Sequence, residues 1–222
     1  MPKPAVGTAV LLLSLLLLSP LVLSPLATPA QAAIDRSPML SERVKKISRV
    51  AMSKWTNVLR RSWATQPLAD RACARRVGRD CRLGQWQAFI GGSQALRPRE
   101  QIRQVHGYVN RFGYREDQDT WGKSDYWAAP GEFFARGGDC EDYAIAKYLS
   151  LKQLGFDPEN MRILVLRDTR RRLMHAVLLV QHGGETLVLD NNAHRVLTWD
   201  EVPHYAPLYS VNEIDFWLHR SA

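Results

Sequence analysis

Hydrophobic positions along this chain change period once, and that change sets the expected architecture. From Glu42 to about Ala64, the residues Val44, Ile47, Ala51, Trp55 and Val58 recur at three- and four-residue steps, the spacing of one helix face. Ile102, Val105 and Val109 form a similar stripe between Pro98 and about Phe112. A third helix is predicted after Gly137-Gly138, with Asp139 at its N-cap and Glu141-Asp142 in the first turn, where acids suit the helix dipole. Ala144, Tyr148 and Leu151 mark its apolar face, Ile145 and Leu149 widen it, and Gly155 stops it. The pattern then turns to strands: Met161 to Leu166, Met174 to Gln181 and Thr186 to Asp190, separated by polar turns at Asp168–Arg172 and His182–Glu185. Arg71 to Gly84 reads as a loop or short helix, and the stretch from Trp199 through Pro203 and Pro207 as a less regular tail. Asp117 to Gly138 is a long irregular segment rich in Asp, Gly and aromatics, the kind that is functional or packs over a site. Helices first and antiparallel strands second predict one α+β domain.

The N-terminus has a pattern of its own. An apolar run from Ala9 to Leu18 follows Lys3, then come Pro20, Pro25 and the small-x-small sequence Ala30-Gln31-Ala32. This reads as a cleaved secretory signal over residues 1–32, leaving an exported domain over 33–222. An uncleaved anchor is the alternative, which the two prolines and the Ala-x-Ala site disfavour. No second long apolar run follows, so no membrane insertion is expected after cleavage. Export gives the three cysteines meaning. Cys73 and Cys81 can pair in an oxidising compartment, leaving Cys140 as an odd and therefore candidate reactive thiol.

The 222-residue chain is 45% hydrophobic, enough for a substantial core, and carries a formal net charge of +8. Its basic residues cluster, but no zinc-finger, RNP-like or basic-zipper pattern accompanies them, so nucleic acid is not an expected partner. A solvated basic face or an acidic partner fits better.

The chemistry centres on Cys140, His175 and Asp190. A cysteine at a helix N-terminus faces backbone N–H groups that favour the thiolate and can donate to an oxyanion. His175 lies near the start of an apolar strand, sharing a face with Val177 and Leu179; this predicts that its ring points where the helix packs. Asp190 closes the next strand and can orient the ring, which completes a nucleophile, a base and an orienter. Each residue also has a plainer reading: a buried inert thiol, a satisfied strand histidine, a turn-capping aspartate. His194 is the nearest competitor for the base. Asp139 and Glu141 pose a separate question, because carboxylates beside a thiol oppose its ionisation.

Four runs carry a family resemblance: Tyr126-Trp127-Ala-Ala-Pro130-Gly131-Glu132, Gly138-Asp139-Cys140-Glu141-Asp142-Tyr143-Ala144, His175-Ala176-Val177-Leu178 and Val188-Leu189-Asp190-Asn191. Together they resemble the bacterial transglutaminase-like cysteine proteases of the LapG type, over roughly Leu40 to Leu218. The resemblance implies a papain-like, transglutaminase-like core with Cys140, His175 and Asp190 as a catalytic triad. It implies a calcium-dependent endopeptidase that cuts the N-terminal region of a large surface adhesin at a di-alanine site, promoting biofilm dispersal. It also implies sequestration by an inner-membrane receptor for cyclic di-GMP. The calcium ligands carried over are Asp139 and Glu141, with Asp142 as a third; the alternative is ordinary capping by Asp139 and dipole complementarity by the other two. Hard oxygen ligands suit Ca²⁺, but no EF-hand loop is present, so further ligands must come from elsewhere. Another acyl-transfer enzyme on the same core, such as an amidase or transglutaminase, is a competing expectation. A non-catalytic exported binding domain is a third.

Overall fold

The structure is a computed structural model that describes residues 52–63 and 81–219. The expected signal segment, the start of the first predicted helix, and Cys73 lie outside the described residues. Helix α1 is described over residues 52–63, with Trp55 and Val58 buried. Helices α2 (Arg82–Ser93), α3 (Pro98–Val109), α4 (Asp117–Trp121), α5 (Pro130–Arg136) and α6 (Cys140–Gln153) follow. The strands are β1 (Met161–Asp168), β2 (Leu173–His182), β3 (Glu185–Leu189), β4 (Leu197–Thr198), β5 (Tyr205–Val211) and β6 (Phe216–Leu218). They form one antiparallel sheet in the order β4-β3-β2-β1-β5-β6.

Helix α6 is the centre of the molecule. The pattern predicted an apolar face, yet every residue from Asp142 to Leu151 is buried, Lys147 and Ser150 included. The helix packs on β1 and β2 on one side and on α3 and α5 on another. Full burial of residues such as Ile145 and Leu151 stabilises by roughly 1.5–3 kcal/mol each, as an upper estimate.

Alternation along the strands separates two cores. Leu178, Val180, Ile163, Leu187 and Leu189 join the cluster that contains α6. Val177, Leu179, Leu164, Leu166 and Val188 form a second cluster with Val202 and Tyr205. Helix α2 begins within the Arg71–Gly84 stretch read as a loop or short helix and runs on to Ser93, where no element was predicted. Its last turn contains Gly91-Gly92, poor helix formers, so tertiary contacts must hold it. Trp86 Nε1 donates to Ser150 Oγ of α6 at 2.8 Å. Cys81, which is disulfide-bonded, caps the helix by accepting the Gly84 N–H on its sulfur. The expected irregular tail is also largely strand. β5 pairs with β1 through a register shift at Val165/Leu166, opposite Pro207. Proline has no N–H to give the ladder, and the bulge absorbs the break.

Candidate active site

Cys140 is the first residue of α6, and its thiol is free and half-buried. The Ala176 N–H of β2 lies near the sulfur and favours its thiolate. The thiol donates to Glu141 Oε2 at 3.2 Å. Burial, then the charges of Glu141 and Asp139, push the thiol well above its ordinary range, overriding the helix N-terminus. His175 is buried, and its Nε2 donates to Asp190 Oδ1 at 2.8 Å, which makes Nδ1 the unprotonated nitrogen of the neutral ring. Burial alone would raise Asp190. Hydrogen bonds from His175, Tyr205 and Asn192 outweigh it and hold the carboxyl well below the usual carboxylate range. The Asn192 N–H reaches Oδ1 at 2.9 Å, and the Tyr205 hydroxyl donates to Oδ2.

One expectation about His175 needs correcting. It shares a face with Val177 and Leu179, as predicted, but that face carries the second core cluster and not α6. The helix packs on the Leu178 and Val180 face. Cys140, at the start of α6, instead lies near the Ala176 N–H, next in the chain to His175. His194, the competitor for the base, is exposed.

The acids form a cluster around the start of α6. Asp139 sits at the N-cap position but its side chain makes no capping bond, contrary to the plain reading of that residue. Asp117, Asp139 and Asp142 each bring a carboxylate oxygen within 4.8 Å of the others, and so do Asp117, Asp125 and Glu141. Asp117 Oδ1, Asp139 Oδ1 and Asp142 Oδ2 are buried with no hydrogen-bond partner among the described residues. Asp142 Oδ1 accepts from the Ala128 N–H at 2.6 Å, and Asp117 Oδ2 accepts from the Tyr126 N–H. Burial pushes Asp117 up to about 6, with Glu141 and Asp125 adding to the rise; burial and the charges of Glu141 and Asp142 push Asp139 up to about 10. Asp142 is raised as well, chiefly by burial. Buried anions without partners are costly unless a cation or a proton joins them. The donor set is all oxygen, so it fits a hard cation such as calcium.

Asp117 and Asp125 flank the expected ligands but were not singled out from the sequence. They come from the Asp-rich segment before the cysteine, where α4 and a turn fold back onto α6. Tyr205 was also missed, because it lies in the stretch read as irregular.

Known proteins place the chain in a family. A profile of the family described as bacterial transglutaminase-like cysteine proteinase (BTLCP) matches residues 61–220. The chain belongs to this family. It is a cysteine peptidase with an α+β, papain-like core. Solved structures of Legionella pneumophila LapG resemble the proteinase at 30% identity, with a TM-score of 0.61 over 72% of this chain and 88% of that one. EGTA-treated and calcium-bound forms of Legionella pneumophila LapG match equally well, covering 86% and 90% of those chains. No curated protein sequence matches the chain. Among the described residues, no helix is long and apolar enough to cross a membrane.

Proposed function

We propose that the proteinase is a calcium-dependent, periplasmic endopeptidase that cuts the N-terminal region of a large surface adhesin at a di-alanine site and so promotes biofilm dispersal. The observation that carries the calcium part is the set of buried, unpartnered oxygens on Asp117, Asp139 and Asp142 beside the nucleophile. Resemblance to a calcium-bound LapG structure supports the same reading. Asp139, Glu141, Asp142 and Asp117 would hold the ion. When bound, calcium neutralises the charge that suppresses the Cys140 thiolate. The adhesin substrate, the periplasmic location and sequestration by an inner-membrane cyclic di-GMP receptor are what the family resemblance implies, and the signal-like N-terminus supports export.

In the mechanism, His175 Nδ1 takes the proton of Cys140 Sγ, and Asp190 stabilises the imidazolium through Nε2. The nearby Ala176 N–H favours the thiolate. The thiolate attacks the scissile carbonyl carbon, and the Cys140 N–H donates to the oxyanion. The C–N bond breaks as His175 returns the proton to the leaving amine, giving a thioester. Water, deprotonated by His175, then attacks the thioester carbonyl and releases the carboxylic acid and the thiol.

Incubating the protein with an adhesin N-terminal fragment, with and without EGTA, tests this. Cleavage is expected with calcium alone, and none with Cys140→Ala. Chelator-insensitive cleavage would remove the metal from the reading. Amide transfer to an added amine in place of peptide cleavage would favour a transglutaminase.

A further inference from the structure

Lys147 has no place in the chemistry above, yet it lies at the heart of the molecule. It is fully buried in α6, two helical turns after Cys140, and its Nζ donates to the Leu189 carbonyl at 3.2 Å. Two residues of α3 act on the same turn. Asn110, at the end of α3, donates through Nδ2 to the Asp190 carbonyl at 3.1 Å and to the Ala193 carbonyl at 3.1 Å. His106 Nε2 lies 3.0 Å from the Ala193 carbonyl. A carbonyl only accepts, so His106 must carry its proton on Nε2. Burial, followed by the nearby Lys147 charge, lowers His106 to about 4 and keeps it neutral.

Two buried polar side chains, Lys147 and His106, and the half-buried Asn110 thus converge on the main chain of 189–193, the turn that carries Asp190. A buried amine is an expensive choice where a leucine or methionine would pack. Its position accounts for it. The helix that carries the nucleophile at its start also grips, seven residues later, the backbone that carries Asp190. The grip ties the main chain beside Asp190 to the helix that carries Cys140, and Asp190 in turn holds the His175 ring.

We propose that Lys147, supported by Asn110 and His106, is a positioning residue that locks the Asp190 turn to the nucleophile helix and thereby aims His175 at Cys140. The proposal rests on the triad reading above. It is tested by the pH dependence of Cys140 alkylation by iodoacetamide in the calcium-supplied full chain, alongside thermal melts and cleavage kinetics. In the wild type a thiolate–imidazolium pair gives an alkylation plateau that extends below the pH range of a free thiol. Lys147→Met keeps the volume and removes the donor. It is expected to melt at or above the wild-type temperature, lose much of the low-pH plateau, and lower kcat by about 10- to 100-fold with KM nearly unchanged. Lys147→Arg, which still donates, should recover part of the plateau wherever it folds, and Asn110→Ala should show a weaker version of the Met phenotype. A wild-type plateau retained in both Lys147→Met and Asn110→Ala would overturn the proposal. So would losses that track only the unfolded fraction. A wild-type profile with no low-pH plateau would overturn the triad reading itself, and this proposal with it.

Discussion

Asp190 accepts from three directions, and each donor has a separate consequence. His175 and the Asn192 N–H share Oδ1, while Tyr205 holds Oδ2. Replacing Asp190 with Asn keeps the shape but presents the ring with an amide that can favour the wrong tautomer. Asp190→Asn should lower kcat about a thousandfold or more, read from steady-state cleavage of the adhesin fragment, with a folded circular dichroism spectrum. Tyr205→Phe is milder. It leaves one buried carboxylate oxygen short of a donor, a loss of about 1–3 kcal/mol that a urea titration would register. Wild-type stability in Tyr205→Phe would mean that water replaces the hydroxyl. Cys140, His175 and Asp190 stood out in the sequence as candidates because each lies at or near the end of a patterned element, and the structure joins His175 to Asp190. Tyr205 was not legible, since nothing in a stretch broken by Pro203 and Pro207 marks one tyrosine as the partner of a distant aspartate.

At the scale of elements, the junction before α6 sets the geometry of the acids. Gly137 has φ +83°, a conformation that favours glycine, and an added Cβ there would run into the Gly113 carbonyl. A Cβ on Gly138 would meet the Asp142 carboxylate. Gly138→Ala should therefore displace Asp142 and weaken calcium binding by tenfold or more, on the order of 1.4 kcal/mol. Isothermal titration with calcium checks this, and an unchanged affinity would exclude Asp142 from the ligand set. The sequence announced this junction through its two glycines, and α6 through its spacing. It did not announce β5, because a proline in the middle of a pairing strand is tolerated only at a bulge, and a bulge depends on the partner strand. Nor could it reveal α2, whose stability comes from Trp86 reaching Ser150 across the core. The face of His175 was misjudged for a related reason. Alternation tells which residues share a face but not which face the helix covers.

For the whole molecule, buried charge should govern stability. Without a cation, Asp117, Asp139 and Asp142 oppose folding near neutral pH. Calcium at a hundredfold excess over its dissociation constant adds about 2.7 kcal/mol, worth roughly 5–10 °C in Tm for a domain of this size. Equal melting temperatures in calcium and in EGTA would contradict the proposed site. Lys147 acts in a different window. Burial lowers it to about 7 from its ordinary value near 10.5. Between those values the unfolded chain binds a proton that the folded chain does not, so this residue makes stability rise from about pH 7 towards pH 10. Lys147→Met should flatten that rise, and parallel urea titrations of both proteins across the range would show whether it does. The cysteines make opposite demands on their surroundings. Cys140 must stay reduced to act, whereas the Cys81 sulfur that caps α2 is held in a disulfide. A reductant added to protect the nucleophile also attacks the disulfide of the cysteine that caps α2. Activity plotted against reductant concentration should rise and then fall, so the amount of dithiothreitol in the buffer becomes a variable to titrate.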